Sequence, residues 1–170
     1  GREPATKALT WDSYNSGVAT VDANGVVTGV SRGTTTIKAT SASIDGAAQV
    51  IAEATINVKE ELPVKDIRPK TVFRVGETYT SPLEMQDGSA DLLDSKNYQS
   101  SDNNIVSIDA ATGYLEAKAV GTVNISSKFL PTEAAKADNY ITWERGMELT
   151  VKPGQYSFTV ANDNTTMIKG

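Results

Sequence analysis

Apolar and polar residues alternate with a period of two along much of the chain. Val50, Ala52, Ala54, Ile56 and Val58 fall on one face of an extended segment, with Gln49, Ile51, Glu53, Thr55 and Asn57 on the other, mostly polar face. The same alternation sets Thr35, Ile37 and Ala39 against Thr36, Lys38 and Thr40, and turns Val123 and Ile125 inward. This pattern predicts antiparallel strands with one buried face. The strands are short and punctuated by Gly, Asn and Asp, as in Asp22-Ala23-Asn24-Gly25, where Asn-Gly suits a tight hairpin. Short strands at regular spacing predict an all-β chain built as a β-sandwich. Only residues 132–138, Thr-Glu-Ala-Ala-Lys-Ala-Asp, have the character of a helical turn.

The chain also repeats itself. Residues 11–22, from Trp11 to Asp22, align with residues 98–109, from Tyr98 to Asp109, at an offset of 87, so that aromatic, Ser, aliphatic and Asp positions coincide. The extra residue Ala111 moves the offset to 88, after which Gly25 meets Gly113, Gly33 meets Gly121 and Thr34 meets Thr122. Ile56-Asn57-Val58-Lys59 corresponds to Leu149-Thr150-Val151-Lys152. The second repeat opens with residues 64–78 and runs on before it reaches Tyr98, whereas the first has only ten residues before Trp11. The first repeat is therefore expected to lack its opening strands. The tail, 156–170, can be laid on the opening of the second repeat, with Met167-Ile168-Lys169-Gly170 beneath Phe73-Arg74-Val75-Gly76. The expected organisation is an incomplete repeat at 1–60, a complete one at 61–153 with an insertion at 129–146, and at 154–170 a tail strand or the start of a third. A fragment of a longer array explains this most simply.

Pro4-Ala5-Thr6-Lys7-Ala8-Leu9-Thr10-Trp11-Asp12-Ser13, then Val18-Ala19-Thr20-Val21-Asp22-Ala23-Asn24-Gly25-Val26-Val27-Thr28-Gly29-Val30, then Gly33-Thr34-Thr35-Thr36-Ile37-Lys38-Ala39-Thr40, resemble the bacterial immunoglobulin-like group 2 family in order, spacing and turn residues. The second repeat resembles it more loosely, through Val75-Gly76-Glu77-Thr78, Val106-Ser107-Ile108-Asp109 and Gly113. The resemblance implies tandem immunoglobulin-like sandwiches in an extracellular or cell-surface bacterial protein. It carries over no catalytic residues.

Composition narrows the chemistry further. The chain of 170 residues contains no His and no Cys, which removes imidazole and thiolate nucleophile systems, disulfides and zinc knuckles. Its net charge of -5 repels phosphate, so nucleic acid is not an expected partner. No apolar run reaches the length of a membrane span, and no signal-peptide pattern begins at Gly1. Paired carboxylates can hydrolyse glycosides without His, but no pair among the 21 acidic residues stands in apolar surroundings, and a non-catalytic chain is expected.

Several residues have both a structural and a functional reading. Asp22 and Asn24, and Asp109 in the second repeat, suit turn positions; with Asp12, Asn15, Asp102, Asn103 and Asn104 they are also oxygen ligands of the kind Ca2+ takes, without EF-hand spacing. The turn reading accounts for their recurrence beside Gly25 and Gly113, and no cofactor is expected. Trp11 and Tyr98 open equivalent strands and suit core anchors better than sugar platforms. Tyr14 has no counterpart in the second repeat and is a candidate surface residue. The insertion holds Phe129, Tyr140 and Trp143 among Glu133, Asp138, Asn139, Glu144 and Arg145. Tyr140 and Trp143 make a candidate patch for glycan or a host protein; the competing reading folds the insertion back on the sandwich, with Trp143 covering its edge. Lys65, Arg68 and Lys70, interleaved with Asp66 and Pro69, suit a solvated strand edge. Asn124-Ile125-Ser126 and Asn164-Thr165-Thr166 match a glycosylation pattern too short to carry weight. The join Lys59-Glu60-Glu61-Leu62-Pro63 is too short for a flexible tether, so semi-rigid extension between neighbouring repeats is expected. The function this supports is a structural or adhesive module, acting as a spacer or presenting an interaction surface.

Overall fold

A computed structural model of the chain describes residues 9–43, 48–65 and 69–155. The start of the family resemblance at 4–8, Asp66 and Arg68 of the basic cluster, the Asn164 motif and the expected tail strand at 156–170 lie outside the described residues.

The described residues are almost all β. In the first repeat, β1 (Leu9–Ser13), β4 (Gly33–Ser41) and β5 (Ile51–Val58) form an antiparallel sheet in the order β1-β4-β5, and β2 (Ala19–Val21) pairs with β3 (Val27–Gly29). The second repeat has β9 (Leu93–Ser100), β10 (Val106–Ile108), β11 (Tyr114–Ala117), β12 (Gly121–Pro131) and β14 (Trp143–Lys152). Its sheets repeat the first pattern and extend it. β9-β12-β14 is continued by β7 (Val72–Arg74), and β10-β11 is continued by β8 (Thr78–Thr80). Among the described residues, nothing in the first repeat occupies the places of β7 and β8. These sheets give the all-β, multi-sheet architecture that the alternation predicts. Two short strands complete the set, β6 (Glu60–Glu61) and β13 (Tyr140–Ile141), which pair in parallel. The helical turn expected at 132–138 is α1 (Glu133–Ala137), whose N-cap Thr132 accepts a bond from the Ala135 amide at 3.2 Å.

The chain divides into two compact units. One comprises Gly1–Ile67, Leu83–Asn97 and Lys128–Arg145; the other Arg68–Pro82, Tyr98–Ser127 and Gly146–Gly170. The core of the second unit is Phe73, Val106, Leu115, Ala117, Val123, Ile125, Leu149 and Val151, with Tyr79, Ile105, Ile108 and Met147 packed against it. Phe73 and Tyr79, contributed by β7 and β8, meet edge to face at 5.7 Å. Burying each large aliphatic side chain here contributes on the order of 1.5–3 kcal/mol.

The first unit buries less of its sheet. Thr35 and Ile37 are buried as the alternation requires and Ala39 is half-buried, but β5 departs from it, and Ala52 and Ala54 are exposed on the face expected to be inward. Val27 is 37% exposed, whereas Leu115, its counterpart in the second repeat, is 3% exposed. The difference has a local cause. Leu115 pairs with Tyr79 of β8, and no strand lies beyond β3 among the described residues.

Candidate interaction surface

The insertion is held by the join that follows the first repeat. α1 ends at Asp138, and Asn139 takes φ +64°, a conformation that Asn tolerates better than most residues. This reversal leads directly into β13. The Glu60 amide donates to the Asn139 carbonyl at 3.1 Å, and the Leu62 amide donates to the Ile141 carbonyl at 3.0 Å. The Asn139 amide nitrogen Nδ2 lies 3.4 Å from the Thr34 hydroxyl, itself hydrogen-bonded to Asn57 Oδ1 at 2.8 Å.

Both candidate aromatics of the insertion are half-buried, and each has a partner in the same unit. The Arg32 guanidinium stacks over the Tyr140 ring at 3.8 Å, while its Nη1 donates to Glu60 Oε2 at 3.2 Å. Trp143 meets Phe129, which is fully buried, edge to face at 5.4 Å, and the Arg145 guanidinium lies 5.2 Å from the Trp143 ring centre. Arg145 also grips Glu61 with both nitrogens, Nη1 to Oε1 at 3.1 Å and Nη2 to Oε2 at 2.6 Å. That fork-on-fork pair holds the Glu61 carboxyl below the ordinary carboxylate range. Glu144 pairs with Lys128 at 3.3 Å. The Tyr140 ring therefore lies at a seam between the insertion and the first repeat with its join, whereas the Trp143 ring packs within the insertion.

The other candidate residues are dispersed. Tyr14 is exposed and donates to Glu53 Oε1, a bond that raises the phenol above its ordinary pKa. Asp22 Oδ1 accepts from the amides of Asn24 at 2.9 Å and Val26 at 2.8 Å. Asp109 Oδ1 accepts from the Ala111 amide at 3.2 Å, the Thr112 amide at 2.7 Å and the Thr112 hydroxyl at 2.6 Å. These donors hold both carboxyls below their ordinary range, with the Val26 amide leading at Asp22 and the Thr112 side chain at Asp109. Asp22 and Asp109 thus do the same work in two equivalent turns. Among the described residues, no group of three or more acidic side chains converges on a point that would suit a metal ion.

Trp11 and Tyr98 share another relation. A Cβ placed on Gly25 would lie 2.6 Å from the Trp11 ring, and one on Gly113 would lie 2.9 Å from the Tyr98 ring. Each aromatic therefore sits directly over the glycine of its own repeat's Asp-to-Gly turn. Lys65 is paired with Asp87 at 2.9 Å, and Lys70 with Glu77 at 2.5 Å.

Residues 2–52 match the family model of the bacterial Ig-like domain (group 2). Residues 2–52 are thus similar to a bacterial Ig-like domain of group 2. Trp11, Asp22, Gly25 and Gly33 within this matched segment are the positions that recur as Tyr98, Asp109, Gly113 and Gly121. Among solved structures, the chain is similar to the S-layer protein rSbsC, at 18% identity and TM-score 0.39, covering 92% of this chain and 22% of that one. It thus spans about a fifth of that protein's length. A C-terminal fragment of intimin, solved in complex with the intimin-binding domain of the translocated intimin receptor, is similar at 19% identity and TM-score 0.38, over 85% of this chain and 52% of that one. The fibronectin(III)-like modules of Clostridium thermocellum CbhA are similar at 14% identity and TM-score 0.34, over 93% and 87%. No curated protein matches the chain. Among the described residues, no helix is long and apolar enough to cross a membrane.

The sequence alone did not reveal Arg32 or the pair Glu60-Glu61 as partners of the insertion. The available signal was charge: two adjacent carboxylates at the join, and an Arg beside Trp143.

Proposed function

We propose that the chain is a non-catalytic structural repeat segment of a secreted or cell-surface bacterial protein, in which repeats at 1–60 and 61–153 are joined stiffly and the aromatic insertion serves as the strut. The observation that carries this reading is the seam between β13 and β6. A two-residue parallel pairing would be weak alone. Here the Arg32–Tyr140 stack, the Arg32–Glu60 pair and the Arg145–Glu61 fork surround it. Each such exposed contact contributes on the order of 0.5–1 kcal/mol, so together they oppose bending at Glu60-Glu61. The match of residues 2–52 to the Ig-like family supports placement in a surface protein. On this reading Asp22, Asn24 and Asp109 shape turns and hold no Ca2+, and the partners are neighbouring repeats of the same protein.

The test is binding of the chain to a panel of glycans and matrix proteins, with and without Ca2+, alongside Tyr140→Ala and Trp143→Ala. The strut reading expects no saturable binding and a lowered melting temperature in both variants. Saturable binding that either substitution abolishes at unchanged melting temperature would overturn it in favour of a glycan- or protein-binding module.

A further inference from the structure

The sequence contains one Asn-Gly pair, Asn24-Gly25, and it lies in the turn between β2 and β3. Such a pair is chemically labile, because the Gly nitrogen has no side chain beside it to keep it from the Asn side-chain carbonyl. Attack of the Gly25 main-chain nitrogen on Asn24 Cγ forms the new C–N bond of a succinimide ring. The bond from Cγ to Nδ2 breaks, and Nδ2 leaves as ammonia with the proton given up by the Gly25 nitrogen. Water then adds to either carbonyl of the ring and opens it, leaving at position 24 an aspartate or its β-linked isomer, isoaspartate. Solvent water is the sole co-reactant.

The reaction needs its nucleophile and electrophile free to reach a near-attack geometry, and the turn ties down the main chain of both residues. The Gly25 amide donates to the Asp22 carbonyl at 3.0 Å. Asn24 is exposed, but its main-chain amide donates to Asp22 Oδ1 at 2.9 Å, and the same oxygen accepts the Val26 amide at 2.8 Å. The Asp22 amide in turn donates to the Val26 carbonyl at 3.0 Å. Three successive amides thus end on two oxygens of Asp22. The Trp11 ring is seated against Gly25, where an added Cβ would lie 2.6 Å from it, so this peptide cannot rotate without moving the ring. The second repeat has Thr112 at this place, at an offset of 88, and its hydroxyl donates to Asp109 Oδ1 at 2.6 Å. That anchor has no side-chain amide to lose.

From this geometry we propose that Asn24 is a guarded modification site: Asp22 and Trp11 keep it intact while the turn is closed, and it converts to aspartate and isoaspartate when the turn opens. Local opening sets the rate, as it does for amide exchange. Neither product suits the closed turn. The Val26 amide and, after it, the Asn24 side chain help to hold the Asp22 carboxyl below its ordinary range, so a carboxylate at position 24 would face a like charge. Isoaspartate routes the main chain through Cβ, and the added methylene displaces Gly25 from its seat against Trp11. Conversion therefore makes the next opening easier, and because ammonia is lost it leaves a lasting record of opening in the first repeat. The equivalent turn of the second repeat keeps no such record.

The test incubates the unsubstituted chain at neutral pH, native and in denaturing urea, and follows conversion at residue 24 by peptide mapping that separates aspartate from isoaspartate. The expected result is conversion at least tenfold slower in the native chain, with hydrogen exchange of the Gly25 amide slowed to a matching degree. Asp22→Ala, which removes the carboxylate acceptor, should convert at least tenfold faster than the unsubstituted chain under conditions where circular dichroism shows it folded. Asp22→Asn keeps an acceptor oxygen and should convert more slowly than Asp22→Ala. Equal rates in the native and urea-unfolded chains would overturn the inference, as would an unchanged rate in folded Asp22→Ala. Should Asp22→Ala fail to fold, the urea comparison and the Gly25 exchange decide the matter on the unsubstituted chain alone.

Discussion

The guanidinium of Arg32 lies 3.8 Å from the centre of the Tyr140 ring and is bonded to Glu60 at the same time. These three residues come from β4's approach, the insertion and the join. One cation thus ties together three segments that are 28 residues apart or more along the chain at their closest. If this contact stiffens the join, Arg32→Ala and Tyr140→Ala should each lower stability by about 1 kcal/mol, with a coupling of about 0.5–1 kcal/mol in a double-mutant cycle. Urea denaturation measures both. Strict additivity would show that the stack contributes nothing.

The two turn glycines make a sharper test, because space and conformation can be separated. Gly25 and Gly113 have φ of +83° and +72°, and each lies beneath an aromatic ring. Gly76 has φ +89° with nothing within 4 Å of an added Cβ. Gly76→Ala should cost about 1 kcal/mol from backbone conformation alone. Gly25→Ala and Gly113→Ala should cost clearly more, about 2–4 kcal/mol, because the ring must also move. Equal losses at all three positions would mean that the rings are not seated as described.

Acid should weaken the fold through identified carboxylates. Asp22, Asp109 and Glu61 are held below their ordinary range by amide, hydroxyl and guanidinium donors in the folded chain. A depressed folded pKa contributes stability that is fully present above the unfolded value, about 4, and is lost as pH falls through the folded value. The urea midpoint should therefore be flat from about pH 7 to 5 and fall below about pH 4. The combined variant Asp22→Asn, Asp109→Asn, Glu61→Gln should fall less steeply. An unchanged acid limb would remove these three groups as its source.

Much of this architecture was legible in the sequence, for reasons that can be stated residue by residue. Thr35, Ile37, Val123 and Ile125 lie on strands with one buried face, where a period of two translates directly into burial. Asp22 with Gly25, and Asp109 with Gly113, are turn chemistry, which is local and therefore readable. β5 was read less well. Its alternation predicts an inward face, but burial needs a covering strand, and that depends on residues far along the chain. The seam around Tyr140 was illegible for the same reason: nothing in the spacing of Arg32, Glu60 and Tyr140 brings them together. Their meeting follows from the parallel pairing of β6 with β13, a contact between residues about 80 positions apart.

Amide exchange at Glu60 and Leu62 tests the strut most directly, because these two amides donate to the Asn139 and Ile141 carbonyls and so report the seam itself. Slow exchange at both, accelerated in Tyr140→Ala while the β12 amides stay protected, is the predicted result. Exchange at the rate of an unprotected amide in the unsubstituted chain, with β12 still protected, would show that the insertion does not hold the join.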